Sequence, residues 1–186
     1  MNILVIGLGL IGGSVCKALK KYTYHTVTGF DLNHDTEMAA LRDVALDSVF
    51  DGNYKGFDMI ILALFPEASE QFFRENAGKM EKNTLITDVC GIKGEFSERM
   101  RKIADDNGLR YVGIHPMAGK EFGGYCNSSA DLFQKANFII APFEDSAESD
   151  VEVLKQTAQE IGAGKIVVTS PENHDKMIAY TSQLAH

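Results

Sequence analysis

An apolar strand pattern, Asn2-Ile3-Leu4-Val5-Ile6, runs straight into Gly7-Leu8-Gly9-Leu10-Ile11-Gly12, and this junction constrains the chain more than any other feature. An amphipathic stretch follows, with Ile11, Val15, Ala18 and Leu19 at helical spacing. A second apolar run, His25 to Phe30, then ends at Asp31. Each part has a physical task in a strand–helix–strand unit. Gly7 permits the tight turn out of the strand, Gly9 lets the backbone approach a pyrophosphate, and Gly12 lets the helix lie close to the sheet. The backbone of Leu8, Leu10 and Ile11 lies in the same turn, where N–H groups at a helix N-terminus face phosphate. Asp31 sits where a carboxylate accepts hydrogen bonds from ribose hydroxyls. A lone glycine triplet says little, but with strand, helix and terminal acid in register it reads as a dinucleotide site. No Arg follows Asp31 in Leu32-Asn33-His34-Asp35 to meet a 2′-phosphate, so the expected cofactor is NAD rather than NADP. A protonated His34 would soften that preference.

The rest of the chain alternates between strand and helix patterns. A helix is expected over Asp35 to Leu41 and a short strand or turn within Val44 to Val49. Asp58 to Leu64 is nearly all apolar, as in a parallel strand covered on both faces. Pro66 ends it and a helix follows, Glu67 to Met80. Then come a strand at Thr84 to Asp88, a helix at Ile92 to Asp105 and a strand at Arg110 to Ile114. A Gly-rich polar loop, Gly119 to Ser129, precedes a strand at Phe138 to Ala141, a helix at Ala147 to Ile161 and a strand at Lys165 to Val168. The reading is an α/β fold of the Rossmann type: one doubly wound, mostly parallel sheet with helices on both faces. Residues 1–170 form the dinucleotide-binding domain. Residues 171–186 read as a helix, with Pro171 near its first turn and no stop signal, that starts a further domain.

At 186 residues the chain has room for one full domain, and 45% apolar content suffices for its core. A net charge of −8 argues against nucleic acid or an anionic membrane as partner, because both reward clustered Lys and Arg. No signal peptide is readable and no apolar run approaches membrane length. Cys16, Cys90 and Cys126 are odd in number and lack C-x-x-C spacing, so neither a disulfide framework nor a metal site is indicated. A reducing cytoplasm fits best.

Ligands of doubly wound sheets sit beyond the carboxyl ends of the strands. The segments to inspect are therefore Gly7 to Gly12, Asp31, Leu64 to Pro66, Asp88 to Lys93, and His115 to Glu121. His115 follows a strand and is stiffened by Pro116. A neutral imidazole there can accept a proton from an alcohol as hydride leaves, and an ordinary pKa near 6.5 would set the acidic limb of the rate profile. Lys93 falls in the first turn of an expected helix, where the macrodipole disfavours a cation; that conflict points to loop orientation or an anion. Cys90 reads as a small residue lining the cleft, since nothing suggests a reactive thiolate.

Four segments together resemble the prephenate dehydrogenases of tyrosine biosynthesis, in their order and spacing. They are Gly7 to Ser14, Asp88 to Lys93, Gly113-Ile-His115-Pro-Met-Ala-Gly119-Lys-Glu121, and His174-Asp175 followed by Ser182-Gln-Leu-Ala-His186. The resemblance covers the whole chain. It implies oxidative decarboxylation of prephenate to 4-hydroxyphenylpyruvate with NAD. It assigns the catalytic histidine to His115, a substrate contact to His186 and the pocket mouth to Glu121; Lys120 is a further expected substrate contact, as a nearby cation for a dianion. Leu64, Asp88 and Lys93 join the glycine turn and Asp31 on the cofactor side. Many members carry Ser where Gly91 stands, its hydroxyl bridging histidine and substrate. Here the bridge would come from water, from a neighbour such as Cys90, or be absent. Members continue into an all-helical domain that dimerises and supplies a substrate-binding Arg, so the whole protein is expected to be a homodimer. Arogenate as substrate, or a dinucleotide-binding module without turnover, are the alternative readings.

Overall fold

The structure, a computed structural model, describes the backbone of residues 1–184 and the side chains of residues 1–180. Six parallel strands form the main sheet. They are β1 (Asn2–Ile6), β2 (Thr26–Phe30), β3 (Ser48–Val49), β4 (Met59–Leu62), β5 (Leu85–Asp88) and β6 (Arg110–Tyr111), in the spatial order β3-β2-β1-β4-β5-β6. The order reverses between β1 and β4, which opens a crevice at their carboxyl ends.

Alternation along β1 shows why its strand is apolar throughout. Ile3 and Val5 face one core with Val15 and Leu19 of helix α1 (Leu10–Tyr22), Ala40 of α2 (His34–Arg42) and Leu154 and Ala158 of α5 (Glu148–Glu160). Leu4 and Ile6 face the other core, with Phe73 of α3 (Pro66–Asn76) and Met100 and Ile103 of α4 (Gly94–Asp106). A strand covered on both sides has no polar face to show.

One expectation is corrected here. The later strands do not complete the first sheet. The run read as one strand, Arg110 to Ile114, divides at Val112, and β7 (Gly113–Met117) leaves to form a second sheet. There β7 pairs antiparallel with β8 (Asn137–Ala141), and β8 pairs parallel with β9 (Lys165–Val168). The cause lies at Gly113: a Cβ there would stand 2.9 Å from Asp88 Oδ2 and from Lys93 Cδ and Cε. A buried polar cluster fills the place where a continuing strand would carry a side chain. Pro116 is compatible with β7 because β7 pairs with a neighbour on one side alone.

Helix α6 (Pro171–Leu184) packs on α4 and β8. Its start follows the sequence closely: the Ser170 hydroxyl accepts the Asn173 N–H at 3.2 Å and Pro171 takes the first helical position. Among the described residues, no helix is long and apolar enough to cross a membrane.

Candidate active site

The glycine turn is shaped as its spacing requires. Gly7 has φ +91°, and a Cβ on it would meet the Ala63 carbonyl oxygen at 2.6 Å and Leu64 Cδ2 at 2.7 Å. A Cβ on Gly12 would lie 1.8 Å from the Gly7 carbonyl oxygen, so helix and turn approach as only glycine allows. Gly9, the N-cap of α1, has nothing within 4 Å of an added Cβ and no side chain caps the helix. The first-turn N–H groups at Leu10, Ile11 and Gly12 therefore face an open cradle, which fits a phosphate. Leu8 differs from its neighbours. Its side chain is buried and its N–H donates to Asp31 Oδ2 at 2.8 Å.

Asp31 is held from three sides. Oδ2 takes Leu8, Oδ1 accepts the Asn33 N–H at 2.9 Å, and the Asp31 N–H donates to Glu37 Oε1 at 3.1 Å. Each carboxylate oxygen keeps a lone pair for a ribose hydroxyl. Glu37 was not visible as a site residue in the sequence. It is 5% exposed, and its other oxygen faces His34 Nδ1 at 3.0 Å. Any charge on His34 is thereby engaged by Glu37, so it does little to soften repulsion of a 2′-phosphate.

Asp88 and Lys93, expected on the cofactor side, are corrected in their role. Both side chains are fully buried. Lys93 Nζ donates to Asp88 Oδ1 and to the Cys90 carbonyl, each at 2.7 Å. Asp88 also accepts the Cys90 N–H at 2.8 Å and the Tyr111 hydroxyl at 2.6 Å. Their side chains cannot touch a ligand; they fix the loop from Asp88 to Lys93 from beneath. The helix conflict noted for Lys93 resolves the same way. As N-cap of α4 it has its ammonium buried against the Asp88 carboxylate, which offsets the positive end of the helix dipole.

That loop lies against His115. A Cβ on Gly91 would stand 3.4 Å from His115 Nε2, so position 91 faces the ring. The other ring nitrogen, Nδ1, is 2.9 Å from His174 Nε2, and His174 Nδ1 is 2.7 Å from Asp175 Oδ1. The same Asp175 oxygen accepts the Lys93 N–H at 2.8 Å. Gly94, at φ +21°, makes room, since a Cβ there would lie 2.6 Å from Asp175 Oδ2. Cys90 is not the bridge between ring and substrate. Its thiol points to the Leu64 carbonyl at 3.5 Å and to Ser69, and burial with Asp88 pushes its pKa up to about 12.

His115 departs from the ordinary imidazole expected above. Burial, then His174, then Lys93 push its pKa down to about 4, against the pull of Asp88 and Asp175. An NMR titration of its ring is therefore expected to show a midpoint near pH 4, not near 6.5. Between those values the unfolded chain binds a proton here that the folded chain refuses. This site's contribution to stability is thus expected to fall as pH drops from about 6.5 toward 4. A ring midpoint at or above 6.5 would contradict the geometry.

Lys120 and Glu121 are exposed in the loop after β7, with Lys120 Nζ on the Asn127 carbonyl at 2.7 Å. Neither hydrogen-bonds to His115 or His174. Leu64 is half-buried at the end of β4 beside the glycine turn, and His186 lies outside the described residues.

Comparison with known proteins gives this arrangement a family. Residues 15–168 match the family described as prephenate dehydrogenase, nucleotide-binding domain. The chain belongs to that family. It is 31% identical, over 100% of its length, to a prephenate dehydrogenase of Bacillus subtilis, and covers 51% of that protein. It is 30% identical to a cyclohexadienyl dehydrogenase of Zymomonas mobilis, of which it covers 64%. Among solved structures, Synechocystis arogenate dehydrogenase superposes with a TM-score of 0.91 at 24% identity, over 99% of this chain and 65% of that one. Prephenate dehydrogenase from A. aeolicus, in complex with hydroxyphenyl propionate and NAD+, gives 0.85 at 24% identity, over 94% and 62%. These last two establish the fold. The chain spans about half to two thirds of these relatives.

Proposed function

We propose that the chain is the cofactor-binding part of a dehydrogenase that converts prephenate to 4-hydroxyphenylpyruvate with NAD. The carrying observation is His115, a depressed-pKa imidazole with Nε2 turned to the loop at Gly91 and Nδ1 held from behind. Such a group is neutral, oriented and able to take a hydroxyl proton. Prephenate has a ring hydroxyl opposite a quaternary carbon that bears a carboxylate. NAD, when bound, supplies the hydride acceptor. His115 Nε2 holds the hydroxyl proton as the carbinol carbon loses hydride. Loss of CO₂ then returns an electron pair to the ring, the oxygen recovers the proton, and a phenol results with no net proton change. Aromatisation drives the reaction, so orientation is the main demand on the protein.

The relatives' length makes the whole enzyme's substrate contacts at Lys120, Glu121 and His186, and homodimerisation through a further helical domain, part of this proposal. Following NAD reduction with purified enzyme, prephenate and arogenate supplied separately, tests it. Reduction with prephenate is expected. Activity confined to arogenate would move the substrate, and NAD binding without turnover of either would leave a binding module.

Cofactor choice is a separate expectation. Asp31 and Glu37 place two carboxylates at the ribose end, so NAD is expected to bind more tightly than NADP. Asp31→Ala removes hydrogen bonds worth about 1.5–3 kcal/mol to a charged group, so NAD affinity should fall about 10–150-fold. Calorimetric titration of both cofactors decides it; NADP binding as tight as NAD would contradict it.

A further inference from the structure

The sequence places His115 and His174 59 positions apart, yet the fold sets them edge to face, ring centroids 5.2 Å apart, with Asp175 behind. The hydrogen-bond directions in this row follow from the acceptor at its end. An ionised carboxylate can only accept, so His174 Nδ1 carries the proton that meets Asp175. In the neutral His174 ring, Nε2 is then an acceptor, so His115 Nδ1 must be the donor. That leaves His115 Nε2 without a proton, with its lone pair toward Gly91 and the cleft.

We propose that His174 and Asp175 are positioning residues for His115: they fix its Nδ1–H tautomer and set the Asp175 charge behind it. The inference rests on the reading of His115 as proton acceptor. His174 is fully buried, and its backbone N–H is tied to the Ser170 carbonyl at 2.9 Å, so its ring is placed by the first turn of α6. Asp175 joins that turn to the start of α4 through the Lys93 N–H. The row thereby links α6, α4 and β7, and displacement of α6 would release the tautomer. A histidine on its own has no preferred nitrogen strong enough for this task; a hydrogen-bonded partner selects it.

The charged and titratable groups around His115 are few. His174 and Asp175 come from α6, and Lys93 and Asp88 from the buried cluster beneath the loop. Lys176, next along α6, is paired with Glu172 at 2.7 Å. Lys93 is paired with Asp88, and the Asp88 and Asp175 carboxylates both favour protonation of His115, Asp88 the more strongly.

Nitrogen-15 NMR of the imidazoles in the protein without substrate tests the tautomer directly. At neutral pH, His115 Nδ1 is expected to be protonated and Nε2 to be pyridine-like. A protonated Nε2 would overturn the inference, whatever the substrate proves to be. His174→Leu should abolish the preference and lower kcat about 10–100-fold while KM changes little. Asp175→Asn is isosteric, so its amide oxygen can keep both hydrogen bonds while the charge is lost. Its acidic limb of kcat/KM should move toward lower pH, with the tautomer retained. An unmoved limb would show that Asp175 only caps α4. Inactivity toward prephenate together with the expected tautomer would defeat the substrate assignment and leave this inference standing.

Discussion

Replacing His115 by Asn is expected to lower kcat by roughly 10²–10⁴-fold while leaving NAD affinity nearly unchanged, the usual scale for a positioned acid–base group. The two outcomes separate because His115 stands on β7, outside the sheet that carries the glycine turn, and touches the loop at Gly91 and His174. The proposed dinucleotide cradle, Gly9 to Gly12 with Asp31, makes no hydrogen bond to the His115 ring. Folding should not suffer greatly, since the ring is half-buried and its loss leaves one partner, His174 Nε2, to be satisfied by water or by the amide. The pH profile supplies the second readout. An acidic limb set by His115 should disappear in the variant. Steady-state kinetics and a calorimetric NAD titration on the same preparation are sufficient. Retention of both rate and pH profile in His115→Asn would assign the proton transfer to another group.

The parts of this fold that were legible in the sequence are those where local geometry forces a residue type. A positive φ at Gly7 and its carbonyl oxygen lying 1.8 Å from a would-be Cβ at Gly12 leave no other choice, so the turn reads directly from spacing. The doubly buried strands β1 and β4 read equally well, because burial on both faces removes alternation. The departure of β7 was not legible. An apolar run looks the same whether it stays in one sheet or bends into another, and the bend is dictated by Asp88 and Lys93, distant in sequence from Gly113. The two histidines show the same limit. His174-Asp175 stood out as a motif, but nothing local says that its partner is His115 rather than solvent. Glu37 and Gly94 were missed for a related reason: their importance lies in what approaches them, Asp31 in one case and Asp175 in the other.

Lys93→Met is expected to destabilise the fold by about 3–5 kcal/mol, the cost of leaving a buried charge unpaired. The ammonium is fully buried, and the Asp88 carboxylate it faces is fully buried too. Methionine is similar in length and can fill the space, so the loss is electrostatic rather than a cavity. The Cys90 carbonyl loses its Lys93 donor, and Asp88 Oδ1 loses its charged partner. Tyr111 and the Cys90 N–H still donate to Asp88, which limits the damage without cancelling the charge. For a domain of this size, 1 kcal/mol corresponds to about 2–4 °C, so the melting temperature should fall by about 10 °C. Cofactor binding at the glycine turn should weaken less than catalysis, because the loop that Lys93 holds down faces His115. A double variant that also carries Asp88→Asn removes the unpaired charge and should recover part of the lost stability. Thermal unfolding of the single and double variants checks the argument: equal melting temperatures for Lys93→Met and the native chain would mean that the buried pair contributes only orientation to the site.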